Sequence, residues 1–208
     1  SKKYDDAYTN WMYLMDNCKD LSVNIYKYGA TLAEDVRKDP VLAKRVYEQR
    51  VQYFPKKNPA KVHSDYATYL ADNKLASDDE IFAILEKGYG IDPTKMGVKN
   101  LYSYFQGVTD RQKDVNPQKV FDTYDDVLES VSKKLDGYAA KLVTLKKDTV
   151  ANKKLIHAYT VNSTALGTVE GGLDAIITEI ATCERLVPLY KDSFEANKGN
   201  AVWLKRAV

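Results

Sequence analysis

The chain contains few of the residues from which most catalytic and metal sites are built. It has two histidines, two cysteines and none of the motifs G-x-S-x-G, H-E-x-x-H or C-x-x-C among its 208 residues. Neither His63 nor His157 has a cysteine, histidine or carboxylate four residues further along the chain, so we expect structural or solvated roles for both. The sequence therefore predicts a non-enzymatic protein with no catalytic residue, no metal site and no cofactor.

A strong charge of either sign is also missing. The chain has 31 basic and 29 acidic residues and a formal net charge of +2. A chain so nearly balanced has no electrostatic preference for nucleic acid or for an anionic membrane surface. Neither is expected as a partner.

Long hydrophobic runs, strand patterns and paired cysteines are absent as well. The most apolar window, 173–187, is interrupted by charged residues, so no membrane-spanning helix is predicted. No stretch alternates apolar and polar residues for more than a few positions, which predicts no β-strand. Cys18 and Cys183 lie far apart in sequence, and we expect two small buried side chains rather than a disulfide.

A spacing of four and then three residues recurs along the first two-thirds of the chain. It begins at residues 7, 43, 81 and 120, which gives periods of 36, 38 and 39 residues. The four copies are Ala7-Trp11-Leu14, Ala43-Tyr47-Arg50, Ile81-Leu85-Gly88 and Val120-Tyr124-Val127, and Pro55 and Pro93 follow the second and third copies. Self-similarity at such periods is typical of stacked helical repeats, which bury their apolar faces against one another.

Several helix starts carry both a capping residue and a proline in the first turn. Asp39-Pro40, Asn58-Pro59 and Asn116-Pro117 each place a capping side chain before a proline, and Ser77 with Glu80 forms a capping box. These signals and the apolar spacing predict helices over 4–17, 22–37, 40–54, 59–74, 78–89, 95–108 and 117–147.

The last third predicts further helices with different breaks. We expect one helix over 152–166 and another over 173–194, with Gly171-Gly172 between them and Pro188 kinking or dividing the second. Another helix is predicted after Lys198-Gly199-Asn200, and its apolar run without a cap predicts that it continues beyond Val208. The total is about ten helices. No signal peptide is expected in the first residues, because they already lead into an amphipathic helix.

The spacing resembles the tetratricopeptide repeat, whose first helix follows W-x2-L-G-x2-Y and whose second follows A-x3-F/Y-x2-A with a later proline. The segments that match a first helix are Ile25-x2-Tyr28-Gly29-x2-Leu32, Tyr66-x2-Tyr69-Leu70-x2-Asn73 and Leu101-x2-Tyr104-Phe105-x2-Val108. Only Gly29 keeps the first-helix glycine. The resemblance implies an all-α, right-handed superhelical array of antiparallel helix pairs, with degenerate repeats over 1–132 and the same array continuing over 133–208.

Some phrases are similar to a group of exported tetratricopeptide-containing proteins of Bacteroidetes bacteria. These phrases are Tyr4-Asp5-Asp6-Ala7-Tyr8-x2-Trp11, Asn24-Ile25-Tyr26 and Phe194-Glu195-Ala196-Asn197-Lys198. This closer likeness implies a periplasmic or cell-envelope location and a longer parent chain.

In such repeats the first helices line a concave groove. The residues between the packing positions of these helices are Tyr26, Lys27, Lys99, Tyr102 and Gln106, and they are our candidate binding residues. We expect Tyr26 and Tyr102 to be half-exposed and Tyr47 and Leu85 to fill the interior of the helix pairs. The carboxylate-clamp mode needs Lys and Asn one turn apart on the first groove helix, and Tyr26 and Ala30 at those positions exclude it.

Two functions remain open at this stage. The first is a non-enzymatic scaffold that binds a peptide or protein in its groove. The alternative is an architectural spacer within a larger cell-envelope protein. The candidate binding residues also admit an ordinary interpretation as half-exposed helix positions.

Overall fold

The computed structural model describes residues 2–199, 201 and 204, and within these residues it is helical with no strand. The described residues form nine α-helices: α1 Lys2–Asn17, α2 Asn24–Thr31, α3 Pro40–Tyr53, α4 Pro59–Asp72, α5 Asp78–Ile91, α6 Val98–Gln112, α7 Pro117–Leu145, α8 Lys153–Ile180 and α9 Cys183–Asn197. A π-helical turn, Leu32–Arg37, follows α2, and a 3-10 turn, Pro93–Lys95, precedes α6. The all-α prediction is confirmed. The predicted helix after Asn200 lies outside the described residues, apart from two positions.

Local capping explains where α3 and α5 begin. The Asp39 carboxylate accepts hydrogen bonds from the backbone N–H groups of Val41 and Leu42, both at 3.0 Å. Ser77 and Glu80 form the predicted capping box, in which each side chain bonds the other residue's backbone N–H. These bonds satisfy N–H groups that the first turn of a helix leaves without partners.

Three joints between helices in the first hundred residues hold non-glycine residues in the left-handed conformation. Lys38, Asn58 and Lys74 have φ values of 52°, 58° and 55°. Asn58 was predicted to cap α4, but its side chain makes no capping hydrogen bond in this conformation. The prediction was wrong because a capping side chain reaches the first-turn N–H groups from an extended backbone, and the backbone of Asn58 is left-handed instead.

The chain divides into two compact units, the first ending at Asn100 and the second beginning at Leu101. The sequence-based division at 132/133 instead falls inside α7. Within the first unit, α1 to α5 pack against their neighbours in order, and in the second unit α7 packs against α8. The superhelical array stays a prediction.

Trp11 and Gly29 fix the contact between α1 and α2. The indole Nε1 of Trp11 donates a hydrogen bond of 2.8 Å to the carbonyl oxygen of Ile25, and the ring lies over Gly29. A Cβ atom at Gly29 would come within 2.6 Å of the indole ring. The glycine that matches the repeat pattern is therefore required because the Trp11 ring leaves no room for a Cβ atom at position 29.

Replacing Gly29 with alanine should destabilise the protein by about 1–3 kcal/mol, because the buried indole is held by its hydrogen bond and cannot move away easily. Urea denaturation measures this loss. The matched control is Gly90→Ala in α5, where nothing lies within 4 Å of the added Cβ. That variant should be stabilised by about 0.4–1 kcal/mol, because alanine favours the helix. Equal destabilisation in the two variants would contradict the packing explanation.

Tyr47 and Leu85 are buried, as predicted, but Tyr26 is not half-exposed. Tyr26 is fully buried, whereas Tyr28, which was assigned a packing position, is 74% exposed. The Tyr26 hydroxyl donates a hydrogen bond of 2.8 Å to the Lys19 carbonyl oxygen, and burial raises the pKa of this hydroxyl to about 12. The prediction was wrong because α2 packs against both α1 and α3, so that it buries two faces rather than one.

Tyr26→Ala should therefore cost about 3–5 kcal/mol of stability, because it leaves a cavity the size of an aromatic ring. Tyr26→Phe keeps the ring and loses one hydrogen bond, so its expected loss is about 0.5–1.5 kcal/mol. Thermal denaturation followed by circular dichroism compares the two variants. A Tyr26→Ala protein as stable as the wild type would show that this side chain is exposed after all.

The second unit is built on the long helices α7 and α8. Tyr138 meets Tyr159 near the turn that joins them, with ring centroids 5.4 Å apart, and Tyr124 bonds Asp174 farther from it. This order of contacts shows that the two helices run antiparallel. The long helix predicted at 117–147 is confirmed by α7.

The predicted break at Gly171-Gly172 was wrong, and Pro188 does not divide its helix. The structure continues α8 through Gly171 and Gly172, because its buried residues keep one spacing on both sides of them. These buried residues are Leu166, Leu173, Ile177 and Ile180. The break lies at 181–182 instead, and Pro188 is inside α9. Cys183, at the start of α9, is a free thiol and exposed rather than buried.

Candidate functional site

An open groove in the first unit lies between α3 and α5, with α4 as its floor. We call it the apolar groove, and its volume is about 860 Å³. Its lining residues are Pro40, Val41, Lys44, Tyr47, Glu48, Val51 and Gln52 from α3, Val62, His63, Tyr66 and Leu70 from α4, and Leu75, Ala76, Glu80, Ala83, Ile84 and Lys87 from α5 and the preceding turn.

The floor of the apolar groove is aromatic and aliphatic. The rings of Tyr47 and Tyr66 stack with centroids 4.8 Å apart and an angle of 24° between their planes. Val62 and Leu70 continue the same face of α4 at four-residue spacing and pack in the same buried cluster. Val41 is 78% exposed on one wall. The floor of the groove is thus buried, and its accessible apolar surface is provided by Val41 of α3 and Leu75 of the turn before α5.

Charged side chains stand along the rim of the apolar groove. Lys44 and Glu48 lie one helical turn apart on α3, with Nζ and Oε1 3.9 Å apart, and Glu80 is engaged in the capping box. Lys87 on the opposite wall forms no ion pair with any described residue. The formal charges of Lys44, Lys87, Glu48 and Glu80 therefore balance, and Lys87 is the rim cation that forms no ion pair with a described residue.

A second groove, which we call the polar groove, lies between α2 and α4 with α3 beneath it. Its volume is about 610 Å³, and it is lined by Lys27, Ala30, Thr31, Glu34, Tyr47, Arg50, Lys61, Asp65, Thr68, Tyr69, Asp72 and Asn73. Tyr47 belongs to both grooves. Its ring contacts Tyr66, while its hydroxyl donates a hydrogen bond of 2.5 Å to the Glu34 carboxylate.

Burial shifts the ionisation of this hydrogen-bonded pair. Burial of the Glu34 carboxyl raises its pKa, although the hydrogen bond from Tyr47 acts in the opposite direction. Burial also raises the pKa of the Tyr47 hydroxyl, and the neighbouring Glu34 raises it further. Tyr47 is therefore a neutral hydrogen-bond donor over the whole physiological pH range.

The five predicted binding residues are divided between the two units, with Tyr26, Lys27 and Lys99 in the first. Lys27 lines the polar groove, and Lys99 forms an ion pair of 2.9 Å with Asp72, which also lines it. Tyr26 lies in the core and cannot contact a partner without unfolding.

The other two predicted residues belong to the second unit. Tyr102 is half-buried, and its ring lies so close to Gly172 that a Cβ there would approach it to 2.9 Å. Gln106 is exposed on α6. A role for either in binding stays a prediction.

Sequence reasoning missed most of the residues that line the two grooves. It assigned Tyr47 and Arg50 to packing positions and expected binding residues only on the first helices. A signal was present, because Arg50 is a charged residue at a position where the repeat pattern expects an apolar or small one. A charged side chain at a packing position marks a polar environment that the rest of the fold must provide.

His63 is half-buried in the apolar groove. Burial lowers the pKa of its imidazole, and the positive charge of Lys87 lowers it further. In the unfolded chain the histidine has an ordinary pKa of about 6.5. The unfolded state therefore binds a proton more readily than the folded state does.

It follows that the free energy of unfolding should decrease as the pH falls through about 6.5 towards the lower pKa of folded His63, and His63→Gln should reduce this decrease. Urea denaturation at several pH values between 7.5 and about 5 measures it. The matched control is His157→Gln, since His157 is exposed and lies in the second unit. An identical effect of the two substitutions would contradict the assignment to His63.

Comparison with known proteins yields no significant match to a family model, a curated protein or a solved structure. The described residues contain no group of three or more His, Cys, Asp or Glu side chains placed to hold a metal ion. In the same part of the chain, no helix has the length and apolar character needed to cross a membrane. The site is therefore interpreted from its own geometry.

Proposed function

We propose that the protein is a non-enzymatic scaffold that binds an amphipathic helix of a protein or peptide partner in the apolar groove. The observation that carries this proposal is the open groove between the walls α3 and α5, which exposes the apolar side chains of Val41 and Leu75. Its floor is the buried apolar layer of Tyr47, Tyr66 and Leu70. A helix that places apolar residues three and four positions apart complements a groove of this kind.

Lys87 on the rim indicates one polar contact that the partner can make. Lys87 lacks an ion pair within the described residues, and the positive charge also acts on the nearby His63. An acidic residue at the edge of the bound helix would compensate Lys87 and set the orientation of the helix. The tetratricopeptide-like resemblance and the cell-envelope location are part of the same proposal.

Selection from a displayed library of helical peptides with the purified 208-residue chain tests this function. We expect enriched peptides to carry apolar residues at helical spacing and at least one acidic residue beside them. Ala83→Arg, an exposed position on the α5 wall, should weaken binding by more than about tenfold because the new side chain fills the groove.

The control for this experiment is Ala71→Arg, which makes the same change at an exposed position of α4 outside both grooves. It should leave peptide affinity unchanged. Loss of binding in both variants, or a selection that enriches no peptide, would contradict the proposal.

One observation favours the architectural spacer as a second candidate. Helix α7 has 29 residues and α8 has 28, so each extends about 43 Å at a rise of 1.5 Å per residue. This antiparallel pair is longer than the helices of the first unit and could separate neighbouring segments of a larger protein. Failure of the peptide selection would favour this second function.

A further inference from the structure

Arg50 is a buried cation whose guanidinium forms no hydrogen bond or ion pair with a described residue. Only 8% of its surface is exposed, its Nε lies inside the protein with no hydrogen-bond partner, and no described residue forms an ion pair with its guanidinium. The side chain lines the polar groove. A buried charge without a partner strongly destabilises the folded state. The burial of Arg50 is therefore explained if a bound anion compensates its charge.

The acidic residues of the polar groove are already engaged elsewhere. Asp65 binds Lys61 through both carboxylate oxygens at 2.6 and 2.7 Å, and Asp72 binds Lys99. Glu34 accepts the hydrogen bond from Tyr47. Asp65 still attracts Arg50 electrostatically, although the two side chains form no ion pair.

Two cations of the polar groove form no ion pair with any described residue. Lys27 on α2 is exposed at its edge and Arg50 lies at its base. Tyr69 stands in the same groove as an additional hydroxyl donor. An anion that enters from the Lys27 side would find one charged group at the mouth and a planar guanidinium with several N–H donors below.

We propose that the polar groove binds a carboxylate group, with Arg50 as its principal ligand and Lys27 guiding its entry. A carboxylate matches the guanidinium geometry with two parallel hydrogen bonds and carries a single negative charge. A dianionic phosphate suits the site less well, because Glu34 and Asp65 would repel its second charge. The carboxylate comes either from a small free acid or from the C-terminus of a peptide.

NMR titration of the Arg50 Nε–H resonance in the full chain tests the proposal. Four probes are added at equal ionic strength: sodium acetate, inorganic phosphate, the tripeptide acetyl-Gly-Gly-Gly with a free C-terminus, and its C-terminal amide. Acetate and the free tripeptide should shift the resonance in a saturable manner, whereas the amide and a sodium chloride reference should not.

The relative affinities distinguish the two sources. Tighter binding of the free tripeptide than of acetate would assign the groove to a peptide terminus, and equal affinities would assign it to a small acid. No saturable shift with either probe would overturn the proposal. Stronger binding of phosphate than of acetate would overturn the choice of a carboxylate.

Variants test the two cations separately. Lys27→Glu should weaken acetate binding by more than about fivefold, while Lys57→Glu, at an exposed position outside both grooves, should not. Arg50→Met should abolish binding with an unchanged or higher melting temperature, because it removes an uncompensated buried charge. If Arg50→Met does not fold, Arg50→Lys is measured instead, because it keeps the positive charge and removes the guanidinium. An acetate affinity equal to that of the wild type in Arg50→Lys would exclude recognition by the guanidinium.

The polar groove can bind its anion whether or not a helix binds in the apolar groove. Ala83→Arg distinguishes the two binding events, because it blocks only the apolar groove. The acetate titration of this variant should be unchanged. A loss of acetate binding in Ala83→Arg would contradict the independence of the two grooves.

Discussion

The stacked pair Tyr47 and Tyr66 is the contact on which the first unit depends most. It joins α3 to α4 through two buried rings, and the Tyr47 hydroxyl extends the same contact to Glu34 in the π-helical turn that follows α2. One side chain therefore holds three consecutive helical segments in place. Aromatic stacking adds about 0.5–1.5 kcal/mol beyond the burial of the rings, and a hydrogen bond to a carboxylate adds to it.

This arrangement also explains why one small unit has two different grooves. The ring of Tyr47 presents an apolar face between α3 and α5, and its hydroxyl ends in a polar space between α2 and α4. Arg50, one turn further along α3, lies on the polar side only. The chemistry of each groove thus follows from which part of α3 faces it.

Sequence reasoning succeeded where the determining forces are local and failed where they are tertiary. The starts of α3 and α5 follow from capping bonds within a few residues of each other, and the burial of Tyr47 follows from helical spacing. The burial of Tyr26 depends on α2 being covered by two neighbours, which spacing alone does not reveal. The continuation of α8 through Gly172 depends on packing that outweighs the low helix propensity of glycine, which is about 1 kcal/mol. The sequence shows that Arg50 is unusual, because it is a charged residue at a packing position. It does not show that the acidic residues near Arg50 bind other partners, since two of those contacts join residues on different helical segments.

The left-handed residues at the joints of the first unit determine whether a fragment of this unit can fold by itself. Lys38 and Lys74 adopt a backbone conformation that disfavours side chains with a Cβ by about 1–2 kcal/mol each. Such joints form because the helices on both sides are packed, and not because the turn residues prefer them. A fragment that contains a single helix pair would have the unfavourable turn without the packing that maintains it. The first unit should therefore behave as one cooperative element, in contrast to repeat arrays whose units can be added or removed one by one.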